Sequence, residues 1–286
     1  MILVTGATGH LGSAAVSHLL KNTAAGNIVA FARDENKANH LREQGIEVRI
    51  GTYDDILSLG VAMQGIEKVL LISGNGPTRL QQHKNVVDAA KKTGIKHITF
   101  TSIALKDMKT SAIRSLMKDL YQAEDYIKKS GLIYTVLRNT LYTGATPLFA
   151  GEKVIKTGIH LPTGNGKVPF ALRREMGEAA ANALLQNGHE NQTYEITGSN
   201  LHSYEDVANA FSTLSGKTVN YTDADPMTFP AQLRAFGLPE IVVLLVTGFS
   251  ADIKNHQFEI MTKDLEKLLG RKPASLKEGL KEVYNL

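Results

Sequence analysis

The chain has 286 residues, 43% of them apolar and 21% charged, with a formal net charge of +4 and no cysteine. That length buries a sizeable core, and the balance is that of a globular chain rather than a disordered or fibrous one. Without cysteine there are no disulfides, no thiolate nucleophile and no thiolate metal site; the cations fall in isolated pairs (91–92, 128–129, 173–174), not in a dense run, so no nucleic-acid partner is expected.

The first twenty residues, MILVTGATGHLGSAAVSHLL, organise the rest. Residues 2–4 read as a short buried strand, and apolar residues recur at helical spacing from about His10. Between them Gly6, Gly9 and Gly12 fall three apart. Strand, glycine turn and helix together are the context of a dinucleotide site. Gly6 lets the backbone turn out of the strand, Gly9 lets it approach a pyrophosphate, and Gly12 lets the helix pack closely. The unsatisfied N–H groups of the helix then face the phosphates.

Strand and helix alternate from there. Strands are expected at 27–33 (NIVAFAR), 47–50, 68–72 (KVLLI), 97–101 (HITFT) and 133–137 (IYTVL). Helices are expected at 36–44, from 55 to about 65, at 80–92 and at 115–129. Short, β-branched, nearly all-apolar strands are those covered on both faces. The pattern predicts an α/β, Rossmann-type doubly wound parallel sheet, with ligands beyond the carboxyl ends of the strands. After residue 145 the rhythm weakens. Helices are expected at 175–186, 204–215, 262–269 and 276–284, and strands at 193–197 and 218–221, around a loop-rich stretch holding Pro226, Pro230 and Pro239. The division expected is 1–145 for the nucleotide domain and 146–286 for a smaller mixed α/β lobe whose segments return to the sheet. The longest apolar run, 241–246, is too short to span a bilayer, and no membrane partner is expected. The chain enters a strand at once, without a basic leader, so a cytoplasmic location is expected. The nine histidines form no helical His-x-x-x-His or Glu-x-x-His pair, and no metal is expected.

The strand ends carry the chemistry. The second strand ends Ala32-Arg33-Asp34. Arg33 can fork onto a 2′-phosphate, which selects NADPH; Asp34 suits a helix cap, and Lys37 is either a second phosphate contact or solvated. Asp54 can accept from an adenine amino group or cap the next helix. Ser73-Gly74 offers a close backbone approach, or a simple turn. Thr101 and Ser102 follow the fifth strand. After the sixth comes Leu137-Arg138-Asn139-Thr140-Leu141-Tyr142. Asn139 can bond the nicotinamide side and Tyr142 can wall a pocket; the alternative is an Arg138–carboxylate pair and an asparagine turn. None of the nine tyrosines has lysine four residues on, so the Tyr-x-x-x-Lys proton relay of ordinary short-chain dehydrogenases is missing. Tyr121 and Tyr126 read as packing or surface residues.

The segments VTGATGHLG, VAFARD, KVLLISG, HITFTS, GLIYTVLRNTLYT and NGHENQTYEITG resemble the NmrA-like branch of the atypical short-chain dehydrogenases, and within it the quinone- and dye-reductase subgroup. The resemblance runs through nearly the whole chain. It implies NADPH in the cleft, with contacts at Gly6, Thr8, Gly9, His10, Leu11, Gly12, Arg33, Ser73, Gly74, Leu137, Arg138, Asn139 and Tyr142. Distant members use a helix lysine as acid; the aligned position here is Leu120, with Lys118 off register. No residue is assigned as acid or base. A ketone needs a proton as hydride arrives, whereas a quinone or cationic dye does not. The expected activity is hydride transfer from NADPH to a small-molecule electrophile of that kind, with Tyr142, Phe149, Phe229 and Phe236 as candidate pocket walls. The alternative is a non-catalytic NADP(H) sensor.

Overall fold

A computed structural model describes residues 1–74 and 76–286. In it the fully buried strand β1 (Ile2–Thr5) feeds α1 (His10–Asn22). Then follow β2 (Ile28–Ala32), α2 (Glu35–Glu43), β3 (Glu47–Ile50), α3 (Ile56–Ala62), β4 (Lys68–Leu71), α4 (Arg79–Thr93), β5 (His97–Ile103), α5 (Arg114–Lys128) and β6 (Ile133–Asn139). The second half holds α6 (Thr146–Ala150), α7 (Val154–Thr157), β7 (Ile159–Leu161), α8 (Arg173–Leu185), β8 (Gln192–Ile196), α9 (Tyr204–Ser215) and β9 (Tyr221–Asp223). It ends with α10 (Phe229–Ala235), α11 (Glu240–Lys254), α12 (Asp264–Leu269) and α13 (Leu276–Tyr284).

Seven strands form one parallel sheet in the order β3-β2-β1-β4-β5-β6-β8. The order reverses between β1 and β4, where such sheets open a crevice at their carboxyl ends. One face packs under α1, α8 and α12, the other under α3, α4 and α5. The sheet is therefore closed partly by residues from the second half of the chain. A Cβ on Gly177 of α8 would lie 2.6 Å from the Ala14 Cβ of α1. Only glycine lets the two helices meet this closely. His18 Nε2 lies 2.8 Å from Asn182 Oδ1, and Asn182 in turn donates to the Leu268 carbonyl at 2.8 Å.

Helix α2 packs on β2 and β3, and the remaining elements of the second half gather around β7 and β9, a two-stranded parallel pair registered Ile159↔Tyr221. An aromatic cluster fills this part: Phe149 against Tyr204 and Phe249, Phe170 against Tyr204, and Phe249 stacked on Phe258 at 5.7 Å. Its apolar core is continuous with the α3–α5 face of the sheet.

Three departures from the sequence reading bear on the site. Strands β5 and β6 run two residues further than their apolar runs, pairing Ser102↔Arg138 and Ile103↔Asn139. Thr101, Ser102, Arg138 and Asn139 therefore lie inside strands and alternate between faces. The strand read at 218–221 is instead β9, three residues on. The proline-rich stretch holds two helices, because Pro230 sits in the first turn of α10 and Pro239 is the N-cap of α11. Proline is tolerated there, where its missing N–H would have no partner.

Candidate functional site

A cleft of about 550 Å³ opens at the carboxyl ends of β1, β2 and β4. Gly6, Thr8, Gly9, Arg33, Ser73 and Gly74 line it, together with Asp34, Lys37, Tyr53, Asp54 and Gln82. The glycines shape its floor in different ways. Gly6 adopts φ +60°, a conformation that favours glycine. A Cβ on Gly12 would fall 2.1 Å from the Gly6 carbonyl oxygen, so α1 can start at the strand end only if residue 12 has no side chain. A Cβ on Gly9 would meet only that same oxygen, at 3.3 Å, and otherwise open space. The start of α1 has no side-chain cap and no acidic residue in its first turn. Its free N–H groups and positive dipole end are thus available to an anion. His10 is exposed at that end and Leu11 is buried beneath it.

Arg33 is exposed on the opposite wall and pairs with no carboxylate among the described residues. Asp34 lines the cleft too, but its carboxylate caps α2, accepting from the Lys37 N–H at 3.2 Å with the Lys37 ammonium 4.0 Å away. Asp54 is not a helix cap. It accepts from Gln82 Nε2 at 2.8 Å, while Asp55 caps α3. Tyr53 stacks on Phe31 and donates to the Ile72 carbonyl at 3.0 Å; burial pushes its phenol up to about 12. Ser73 takes its backbone place from Thr101, whose Oγ1 accepts the Ser73 N–H at 3.3 Å.

The β6 residues do not all serve this cleft. Leu137 is buried in the α1–α8 core. Arg138 points to the other face, where Glu124 takes it at 2.7 Å and Glu195 at 3.0 Å. Its guanidinium is spent on carboxylates, which corrects the expectation of a cofactor contact from that side chain. Asn139 returns to the Leu137 face and is 3% exposed; its amide makes no hydrogen bond of good geometry, with the Tyr142 hydroxyl beside it. An orphaned buried amide is costly unless something else bonds it. Tyr142 lies with its ring 4.4 Å from the Arg173 guanidinium.

In the sequence Arg173 is one of a basic pair with Arg174. It is the first residue of α8 and touches Gly144 and Tyr142 rather than a carboxylate. Gly177 meets Ala14, and Asn182 meets His18, so α1 and α8 run side by side in the same direction. Arg173 lies one helical turn before Gly177 and His10 one turn before Ala14, so the two helices start on the same side. A basic pair, Arg173-Arg174, opening a helix, where the dipole disfavours cations, is the only signal in the sequence.

The relay positions are occupied by structural bonds. Ser102 donates to the buried Glu124 at 2.5 Å. Tyr121 donates to the Leu105 carbonyl at 3.2 Å, and burial pushes its phenol up to about 12 despite the neighbouring Arg138. Leu120 is buried and Lys118 is exposed. Tyr126 donates to Asp88 at 2.7 Å on the surface. Of the candidate pocket walls, Phe149 joins the aromatic cluster. Phe229 packs on His160 and lines a separate pocket of about 290 Å³ with Pro162 and Pro226. Phe236 is 82% exposed and walls nothing. A larger groove of about 970 Å³ includes none of the glycine-loop residues, and ion pairs such as Arg174–Glu282 and Arg271–Glu175 cross it.

The model of the NmrA-like family matches residues 1–283. The chain belongs to the NmrA-like family. It is 34% identical to quinone oxidoreductase 2 of Escherichia coli over 100% of this chain and 99% of that one. The crystal structure of that enzyme with NADPH superposes with a TM-score of 0.93, covering both chains completely. The Citrobacter triphenylmethane reductase complexed with NADP(H) gives 0.93 at 34% identity, over 99% of this chain and 100% of that one. An NAD(P)H azoreductase of Xenophilus azovorans is 29% identical over 84% of this chain and 82% of its own. In this NmrA-like chain, then, the glycine-loop cleft is complete while the Tyr–Lys relay is missing.

Proposed function

We propose that the chain is an NADPH-dependent reductase of quinones and similar conjugated electrophiles. The observation that carries this is the pairing of a complete cofactor cleft with proton-relay positions that are locked. The cleft fits the group: the uncapped start of α1 and the bare Cα of Gly9 suit a pyrophosphate. The unpaired Arg33 suits a 2′-phosphate, and the orphaned amide of Asn139 suits a carboxamide. Gly6, Thr8, Gly9, His10, Leu11 and Gly12 would hold the phosphates through backbone and helix end. Arg33 and Lys37 would hold the 2′-phosphate, Ser73, Gly74 and Asn139 the nicotinamide half, and Tyr142 and Arg173 the neighbouring wall. Leu137 and Arg138 would serve only to place the β6 backbone.

When bound, NADPH supplies the hydride. The chain's part is to fix the geometry and exclude water. Ser102 cannot offer its proton to a substrate oxygen, because Glu124 already accepts it. Tyr121 with a phenol near 12 is a weak proton donor at neutral pH. The acceptor must therefore bear its own incoming charge, as a quinone or a cationic dye does. Residues 1–145 act as the nucleotide unit, with α8, β8 and α12 returning to its sheet, and the rest of 146–286 acts as the smaller unit that closes over the acceptor. A reducing cytoplasm suits a cysteine-free chain that uses NADPH, and no described helix is long and apolar enough to cross a membrane.

The test is steady-state oxidation of NADPH by the purified protein with a naphthoquinone. Turnover that saturates in both reactants is expected. Tight NADPH binding with no turnover on any quinone or dye would overturn the reading in favour of a non-catalytic redox sensor.

A further inference from the structure

Helix α5 begins at a residue that cannot cap it. Ile113 occupies the N-cap position and offers no side-chain acceptor. A helix start leaves several N–H groups without partners. Ser111 Oγ takes the Ile113 N–H at 3.2 Å, and the further acceptor comes from α11. Asp252, 0% exposed, accepts from Ser111 Oγ at 2.6 Å, from the Ala112 N–H at 2.6 Å and from the Ile113 N–H at 3.3 Å. Five residues on, Gln257 continues the attachment. Its carbonyl accepts the Lys106 N–H at 3.0 Å, its side-chain oxygen accepts the Asp107 N–H at 3.0 Å, and its amide nitrogen donates to Thr110 Oγ1 at 2.9 Å. The segment 104–113, which carries the chain from β5 into α5, thus hangs from α11 and the turn after it. Gly248 of α11 completes the seat, since a Cβ there would fall 2.8 Å from Ile113 Cγ2.

We propose that Asp252, seconded by Gln257, is a positioning residue for the acceptor: it holds the 104–113 segment at the carboxyl end of β5, against the reacting end of the cleft. In an open parallel sheet that end is where ligands meet the chain, and β5 lies one strand from the reversal between β1 and β4. The same segment sets the start of α5, and so sets Glu124 against Ser102 and Tyr121 against Leu105. No cofactor-cleft residue named above shares a hydrogen bond with Asp252 or Gln257. Releasing the segment should therefore loosen the acceptor and leave the cofactor in place. The inference rests on the reductase reading and assigns acceptor placement to a helix of the second half.

The experiment uses the full chain with Asp252→Asn, and independently Gln257→Ala in case the first substitution impairs folding. Asp252→Asn keeps the shape but turns one acceptor into an amide that faces N–H and O–H donors. Expected are faster hydrogen exchange confined to 104–116, a KM for naphthoquinone raised about tenfold or more, and an NADPH dissociation constant within about twofold of wild type. Unchanged quinone KM in both variants, or quinone and NADPH affinity lost in parallel, would overturn the proposal. A wild-type protein that turns over no quinone would instead strike the reading beneath it, so the two failures are distinguishable.

Discussion

Replacing Gly9 and Gly12 by alanine, one at a time, separates what the glycine loop does for the cofactor from what it does for the fold. Gly9 has φ −86° and ψ 165°, which any residue adopts, and its added Cβ meets only the Gly6 oxygen at 3.3 Å. Alanine there is a poorer helix cap by a few tenths of a kcal/mol but gains about as much from a stiffer unfolded chain. Its melting temperature should stay within about 2 °C of wild type. The methyl group projects into the cleft, and displacing one charge-assisted backbone bond to a phosphate costs about 2 kcal/mol, or roughly thirtyfold in NADPH affinity. At Gly12 the added Cβ would lie 2.1 Å from the Gly6 oxygen, so the start of α1 must retreat by about an ångström. Such overpacking costs about 1–3 kcal/mol, a drop of roughly 2–5 °C for a chain of this size. Calorimetric titration with NADPH and thermal melts of both variants are the assay. Gly9→Ala binding NADPH as wild type does, or losing as much stability as Gly12→Ala, would refute the assignment of the loop.

Arg33→Ala should weaken NADPH binding by about tenfold, the low end for a charge-assisted bond because the guanidinium is exposed; NADH binding should barely change, and equal losses would take Arg33 away from the 2′-phosphate. Burial, reinforced by Arg79, holds His83 at about 4. The folded state therefore resists a proton that the unfolded chain takes up near 6.5, and stability present above pH 6.5 drains away as the pH falls towards 4. Between pH 7 and pH 5 this group should remove about 2 kcal/mol. Urea midpoints of His83→Leu should accordingly fall less over that interval than those of wild type, and parallel declines would contradict it. Tyr121→Phe should leave quinone turnover within about threefold, a barrier change below about 1 kcal/mol, and a loss of a hundredfold would make the tyrosine an acid after all.

The strand–glycine–helix opening was legible because its signals are local: an apolar run, glycines at fixed spacing and a helical period. The sheet followed from repetition of the same unit. The ends of β5 and β6 were hidden because Ser102, Arg138 and Asn139 break the apolar run, although each is buried or half-buried and, for Ser102 and Arg138, bonded across the layer to Glu124. Apolar patterning cannot reveal a strand whose last residues are polar and satisfied by a helix. The sequence does not decide between cofactor and carboxylate for Arg138, since its partner Glu195 stands 57 residues away. The helices after Pro226 were missed because proline was read as a breaker, whereas at a helix start it costs nothing. The cap that Asp252 gives α5 joins residues 139 and more apart and has no local signature at all.

The cleft suits hydride transfer to acceptors that need no proton from the protein. The most direct measurement is the ratio of kcat/KM for a naphthoquinone to that for an aryl ketone of similar size, with NADPH saturating and the pH varied from 6 to 8. Quinone turnover without a tyrosine limb in its pH profile is expected, with a preference over the ketone of about a thousandfold or more, some 4 kcal/mol of barrier. Comparable reduction of the ketone, with a limb that disappears in Ser102→Ala or Tyr121→Phe, would contradict it.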